Sequence, residues 1–233
     1  MALQVDIYSD VICPWCFVGK RRLERATAEL GERHDVLIAW HPFQLNPDMP
    51  RDGIDRKTYR SAKFGSWGRS RALDAQVADV GATENIPFAF DRITRTPNTV
   101  DAHRLIWFAG RHGCQDAVVE ALFRGYFMDG RDLGDRRTLV AIAHEVGVDA
   151  VATERFMISD EGAGAIRAEE EIARAAGITS VPLFVLNGRR TISGAQPSEL
   201  ILAALERTLK LDTTQSKGAA VDADCTPPGP CTV

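Results

Sequence analysis

The pair of cysteines near the N-terminus is the feature that most limits how the chain can fold. Residues 3–8 alternate like a strand, and the sequence Cys-Pro-Trp-Cys follows at Cys13 to Cys16. Residues 17–30 have helical periodicity, and residues 36–43 are typical of a second strand. A Cys-x-x-Cys motif beside a β-α-β pattern is typical of a redox site.

Strands return only after a long helical block. Helical patterns are predicted near residues 56–65, 67–81, 99–112, 115–127, 136–147, 153–158 and 161–176. Residues 183–186 and 189–193 predict a hairpin around Asn187-Gly188, since this pair accepts the positive φ of a type I′ turn. Pro197 opens a last helix that is expected to end near Leu209. We therefore expect one α/β domain from residues 1–54 and 177–210, a helical insertion of residues 55–176, and a tail of residues 211–233.

The spacing of the first two cysteines suits disulfide exchange. Cys13 falls at the start of the predicted helix, where backbone N–H groups and the helix dipole favour a thiolate. Pro14 suits the first turn because its missing N–H needs no partner there, and Trp15 adds a large apolar surface. Cys16 lies about one helical turn further along the same face. We predict that Cys13 is the nucleophile and Cys16 the resolving thiol.

A second cysteine pair occurs in the polar tail, at Cys225 and Cys231. The residues between them are rich in proline, so the ends of this short segment can meet in a small disulfide loop. One hypothesis is a redox relay between this pair and the first one, with the tail as a tethered substrate. A disulfide that pins the tail is the alternative.

Two further explanations of the first pair stay open. Cys13 and Cys16 can form half of a zinc site, with Cys225 and Cys231 as the other half. The spacing of the second pair is wider than the usual two to four residues, so we expect no metal. Two buried, inert thiols are the other alternative.

Further motifs extend the pattern along the chain. They are Asp10-Val11-Ile12 before the cysteines and Gly19 after them, then Phe-Gln-Leu-Asn-Pro at 43–47, Asn-Thr-Val-Asp-Ala-His-Arg at 98–104, Gly-Ile-Thr-Ser-Val-Pro at 177–182 and Ser-Gly-Ala-Gln at 193–196. With them the chain resembles the DsbA-like thioredoxin-fold proteins and, within these, the cytoplasmic FrnE-like group. The resemblance implies an α/β thioredoxin-like fold, β-α-β plus β-β-α, with an inserted all-helical domain over the active-site face. It also implies thiol–disulfide oxidoreductase activity on protein or small-molecule thiols.

The resemblance also assigns substrate contacts. In a thioredoxin-type fold a cis-proline loop faces the Cys-x-x-Cys, so we predict a cis Val181–Pro182 bond whose backbone pairs with an extended substrate. Asn46 is expected at the mouth of the site, because loops after strands commonly carry function. The predicted substrate-binding residues are Pro14, Trp15, Asn46, His103, Val181 and Pro182.

Two titratable residues are weaker candidates. His103 is expected near Cys13, where it supports the thiolate or a general acid step; a histidine that only packs or is exposed is the alternative. Asp10, three residues before Cys13, is a candidate for tuning its pKa, or else a solvated turn residue.

The same superfamily includes 2-hydroxychromene-2-carboxylate isomerases and kappa-class glutathione transferases. Those enzymes bind glutathione and typically have a serine where this chain has Cys13. Both cysteines of the motif are present here, which favours redox exchange, and the isomerase or transferase remains the alternative. We expect no tightly bound cofactor, with glutathione as a candidate co-substrate.

Charge and hydropathy exclude other classes of protein. The chain has 28 Lys and Arg against 32 Asp and Glu, a net charge of −4, and no long basic run, so nucleic-acid binding is not expected. No apolar stretch is long enough for a membrane span, and the first residues lack the pattern of a signal peptide. We therefore expect a cytoplasmic protein, monomer or homodimer, although a signal already removed would leave the same sequence.

Overall fold

The computed structural model describes residues 2–31 and 34–218. In chain order the elements are β1 (Leu3–Ser9), α1 (Pro14–Leu30), β2 (Val36–Pro42), β3 (Ile54–Asp55), α2 (Arg56–Phe64), α3 (Trp67–Thr83), β4 (Arg95–Thr96), α4 (Val100–Gly110), α5 (Gln115–Phe127), α6 (Arg136–Glu145), α7 (Ala150–Ile158), α8 (Ala163–Ala175), β5 (Leu183–Leu186), β6 (Arg190–Ser193) and α9 (Ser198–Gly218).

The main sheet contains four strands in the order β2-β1-β5-β6. β1 runs parallel to β2 and antiparallel to β5, with Val5 opposite both Ile38 and Leu186. Asn187 and Gly188 have φ values of 46° and 65°, the two positive values that a type I′ turn requires. The predicted α/β thioredoxin-like fold and its closing hairpin are therefore confirmed.

Helices α2 to α8 lie between β2 and β5 in the chain and begin and end near the predicted residues. One feature of this block was not predicted. Two-residue strands β3 and β4 pair antiparallel, with Ile54 opposite Thr96, and tie the start of the block to the segment before α4. The last helix also differs from the prediction, because α9 continues to Gly218 instead of ending near Leu209.

Aromatic side chains join α1 to the helical block. Phe17 of α1 is fully buried and stacks on Phe123 of α5, with ring centroids 5.1 Å apart. Phe88 and Phe127 complete the cluster, with ring centroids 6.0 Å and 6.3 Å from that of Phe17. The block is thus packed against the helix that carries both cysteines, so its helices can form walls of a site there.

Candidate functional site

Cys13 is the N-cap residue of α1, and Pro14 occupies the first helical position. Within the described residues no side chain caps this helix, so its first N–H groups are free to favour a negative charge at the start of α1. The Cys13 N–H donates to the Asp10 carbonyl at 3.0 Å, which fixes the turn before the helix. This local geometry is the one that activates cysteine thiolates in other proteins.

Cys16 lies beneath Cys13 and is only 1% exposed. Burial and the interaction with Cys13 raise its pKa well above the usual value, although hydrogen bonds from the Ser9 hydroxyl and the Asp10 backbone N–H act in the opposite direction. Cys16 is therefore a protonated thiol at neutral pH. It can act as a nucleophile only after its proton leaves.

The loop before β5 faces Cys13. The Val181–Pro182 peptide bond is cis, as predicted, and the Cys13 Sγ lies 3.7 Å from the Val181 carbonyl oxygen. Gly19 of α1 lets the loop approach, because a Cβ at this position would lie 3.0 Å from the Pro182 Cγ. The role of Val181 and Pro182 in holding a substrate stays a prediction.

A cleft of about 400 Å³ opens beside Cys13. Trp15, which is 40% exposed, lines the cleft together with Asn46. α2 contributes Tyr59 and Lys63 to the same lining, where the Lys63 Nζ donates to the Asn46 Oδ1 at 3.1 Å and to the Tyr59 Oη at 2.8 Å. Residues of both the thioredoxin-like part and the helical block line the cleft, and substrate binding there stays a prediction.

Two arginines give this cleft a positive wall that the sequence analysis missed. The Arg56 Nη2 donates to one oxygen of Asp74 at 2.9 Å, and the Arg60 Nη2 donates to the other at 2.6 Å. One carboxylate thus neutralises only one of the two guanidinium groups, and Lys63 adds a further positive charge. Their spacing in the sequence carries no recognisable motif, because they meet only after α2 and α3 fold together.

Asp10 and His103 are buried together behind the cysteines. Asp10 is fully buried, and its Oδ2 accepts the Leu45 N–H at 2.8 Å, which holds the loop that carries Asn46. The His103 Nε2 lies 3.5 Å from the Asp10 Oδ1. Asp10 is therefore not a solvated turn residue. His103 lines a separate interior cavity and, among the described residues, is not part of the cleft at Cys13.

Among residues 2–31 and 34–218, no three His, Cys, Asp or Glu side chains lie close enough together to bind a metal ion. Cys225 and Cys231 lie outside the described residues, so both the relay and the zinc hypothesis stay predictions. No helix in the described part of the chain is long and apolar enough to cross a membrane.

Residues 4–206 match the family described as the DSBA-like thioredoxin domain. The protein YwbO of Bacillus subtilis is 29% identical over 210 residues, which cover 88% of this chain and 96% of YwbO. A 2-hydroxychromene-2-carboxylate isomerase of Sphingobium xenophagum is 22% identical over 187 residues, 80% of this chain and 90% of the isomerase.

Among solved structures, a probable DsbA oxidoreductase from Streptomyces coelicolor is similar over nearly the whole chain. It superposes with a TM-score of 0.81 at 31% identity, covering 98% of this chain and 94% of the other. The similarity extends through both the thioredoxin-like part and the helical block, since the two together make up that length.

Proposed function

Since the chain belongs to the DSBA-like thioredoxin domain family, we propose that it is a thiol–disulfide oxidoreductase that works through Cys13 and Cys16. The Cys13 thiolate attacks one sulfur of a substrate disulfide. A Cys13–substrate disulfide forms, the original S–S bond breaks, and the other sulfur leaves as a thiolate that takes up a proton.

Cys16 completes the reaction. Its thiolate attacks the Cys13 sulfur, the Cys13–Cys16 disulfide forms, and the substrate leaves reduced. The observation that carries this assignment is that the buried Cys16 thiol interacts directly with Cys13 at the start of α1. The reverse reaction oxidises a substrate dithiol by the same steps, and the reduction potential decides which direction dominates.

The surroundings of Cys13 support two kinds of substrate. An extended peptide can pair with the backbone at Val181, beside the apolar surface of Trp15. A small anionic thiol such as glutathione fits the cleft of about 400 Å³, because Arg60 and Lys63 would complement its carboxylates. We include glutathione as a co-substrate, with no tightly bound cofactor, and protein or small-molecule thiols and disulfides as partners.

A glutathione-dependent isomerase is the second candidate, and the observation that favours it is the similarity to the Sphingobium xenophagum isomerase. In that case Cys13 would activate glutathione without changing oxidation state. Cys16 would then have no role in turnover. Its position under Cys13 is the reason for ranking redox exchange first.

A glutathione redox titration tests the proposed function. The protein is equilibrated at stepped ratios of reduced to oxidised glutathione, quenched in acid, alkylated and analysed by mass spectrometry. We expect reversible formation of a Cys13–Cys16 disulfide in the native chain and an accumulating Cys13–glutathione adduct in Cys16→Ser. Cys114→Ser is the matched control, because Cys114 is a half-buried thiol bonded to the His112 carbonyl, away from the site.

Two results would contradict redox exchange. One is the absence of a Cys13–Cys16 disulfide at every glutathione ratio. The other is glutathione-dependent isomerisation of a 2-hydroxychromene-2-carboxylate at the same rate in the native chain and in Cys16→Ser, which would establish the second candidate.

The tail pair would extend the function if it relays electrons to the first pair. We propose that Cys225 and Cys231 exchange with Cys13 as a tethered dithiol. Stopped-flow oxidation of the chain carrying both Cys225→Ser and Cys231→Ser should then slow relative to the native chain. Unchanged rates of oxidation and re-reduction at Cys13 and Cys16 would refute the relay.

The proposed compartment is the cytoplasm, where reduced thiols are the norm and a Cys-x-x-Cys pair acts transiently. Rapid alkylation of whole cells before lysis tests this, since Cys13 should then be trapped largely as a thiol. A stable Cys13–Cys16 disulfide in unstressed cells would argue for an oxidising compartment.

A further inference from the structure

A second cavity lies near the cysteines and shares no lining residue with the substrate cleft. Its volume is about 130 Å³, which is room for several water molecules. Polar side chains from five elements line it: Ser9 at the end of β1, His41 of β2, His103 of α4, Gln115 of α5 and Glu169 of α8. The rest of the lining is apolar, and a space of this size with several polar groups can hold hydrogen-bonded water.

Ser9 connects this cavity to the resolving thiol. Its hydroxyl hydrogen-bonds to the Cys16 sulfur, and the Ser9 residue is only 6% exposed. The same residue lines the cavity. A hydroxyl both accepts and donates a proton, so Ser9 lies where a proton leaving Cys16 would pass.

His103 offers the next group on this path. It is 3% exposed, and within the described residues its Nε2 makes no hydrogen bond, although the Asp10 Oδ1 lies 3.5 Å away. A buried ring nitrogen without a partner is costly and calls for an explanation. Water in the cavity that His103 lines would satisfy it, and imidazole transfers protons readily near neutral pH.

The far side of the cavity reaches solvent. His41 lies there with one ring nitrogen 3.3 Å from Glu169 and the other 3.1 Å from Asp6. The Glu169 side chain is 37% exposed. The charged or titratable groups that face the cavity are therefore His103 with Asp10 behind it, and His41 with its two carboxylates.

From this arrangement we propose that Ser9, the water of this cavity and His103 carry the Cys16 proton to solvent during the resolving step. The idea rests on the proposed function, because only disulfide exchange requires Cys16 to ionise. As Cys16 attacks Cys13, the S–H bond of Cys16 breaks and its proton passes through the Ser9 hydroxyl to water and His103. The Cys13–Cys16 bond forms, and the substrate leaves on the opposite face as a thiolate.

The path separates proton exit from substrate exit. A bound peptide covers the cleft at Cys13, so a proton released into the cleft would have to leave past the substrate. The cavity behind Ser9 shares no lining residue with this cleft, and Glu169 on its lining is 37% exposed.

Stopped-flow reaction of the reduced protein with dithionitrobenzoate, an aromatic disulfide that releases a coloured thiolate, separates the two steps. Attack by Cys13 releases the first thiolate at a rate that depends on reagent concentration. Resolution by Cys16 releases the second at a concentration-independent rate. Ser9→Ala should slow the second phase about a hundredfold, as expected for loss of a general acid–base path, and leave the first phase close to the native rate.

Three further variants test whether the Ser9 hydroxyl and His103 act in proton transfer. Ser9→Thr restores a hydroxyl and should recover most of the second-phase rate. His103→Gln should change the pH profile of the second phase, which a purely structural role would not do. Ser198→Ala removes another buried serine hydroxyl, at the start of α9, and should change neither phase.

The outcomes are distinct. A native second-phase rate in Ser9→Ala, or equal slowing of both phases with an unchanged pH profile in His103→Gln, would overturn the proton path. A native chain that shows no second phase at all would instead contradict the proposed function, since Cys16 would then not resolve the mixed disulfide.

Discussion

Replacement of Arg104 by leucine should destabilise the helical block strongly. Arg104 is 1% exposed, and its guanidinium donates to two backbone carbonyls of the turn between α7 and α8, Ser159 at 2.6 Å and Glu161 at 2.8 Å. A third bond goes to the Phe156 carbonyl in the last turn of α7, at 3.2 Å. Arg104 also donates to the Asp101 Oδ1 at 2.7 Å. Leucine fills a similar volume but supplies no donor.

The magnitude follows from the groups left behind. Breaking a buried pair by removing one partner costs about 3–5 kcal/mol, because the remaining polar groups lose their hydrogen bonds in a low-dielectric interior. Asp101 keeps one cation, since the Arg136 Nε donates to its other oxygen at 2.8 Å. We therefore expect a loss of about 3–4 kcal/mol, near the lower end of that range.

Urea unfolding followed by circular dichroism measures this loss. Thermal unfolding is a second measurement. In a domain of this size the midpoint temperature should fall by about 10 °C, at about 2–4 °C per kcal/mol. Arg111→Leu is the matched control. Both arginines hydrogen-bond to Glu161 and lie 5.0 Å from an aromatic ring centroid, Arg104 over Phe156 and Arg111 over Trp107, but the Arg111 side chain is 55% exposed. It should cost less than about 1 kcal/mol. Equal losses in the two variants would refute the reasoning from burial.

Two further predictions concern His41 on the edge strand β2 and Gly19 in α1. Burial acts against protonation of His41, but hydrogen bonds to Glu169 and Asp6 outweigh it and raise its pKa. Protonated His41 therefore stabilises the fold fully below its unfolded pKa near 6.5, and this stabilisation is lost as pH rises through its higher folded pKa. The urea midpoint of the native chain should fall over that pH interval, and the midpoint of His41→Gln should not. Gly19→Ala should lower the free energy of unfolding by about 1–3 kcal/mol, because its Cβ would crowd the loop at Pro182. Gly68→Ala has open space around it and should raise the free energy of unfolding by up to about 1 kcal/mol. Equal changes in urea unfolding of the two variants would contradict the close approach of Gly19 to Pro182.

Local sequence signals explain what could be predicted. The cysteine motif, the turn at Asn187-Gly188 and the glycines after several helices each act over a few residues, so their structures follow from the adjacent sequence. The cis bond at Pro182 was predictable once the motif had indicated the fold. Asn98 precedes α4 and belongs to the motif at 98–104. It accepts the Val100 N–H at 3.0 Å, although the cap residue itself is Thr99.

Features that depend on chain folding could not be predicted in the same way. Strands β3 and β4 contain two residues each, too few for any alternation to be visible. Arg60 reaches the cleft only through the packing of α2 on α3, and Ser9 is an ordinary strand-end residue until Cys16 is placed beside it. Arg104 belongs to a recognised motif, yet only the structure shows that it holds the α7–α8 turn.

The placement of β1 at the centre of the main sheet has a consequence for protein synthesis. The Gln4 N–H bonds to the Asn187 side chain across 183 residues, and the loop that faces Cys13 is 168 residues away from it. At about 5–20 residues per second, a ribosome takes roughly 10–40 seconds to make that stretch. During this time the reactive thiols belong to a nascent segment without its opposing wall. Their first oxidation state is therefore set by the thiols and oxidants around the ribosome, before the folded site can select its own partners.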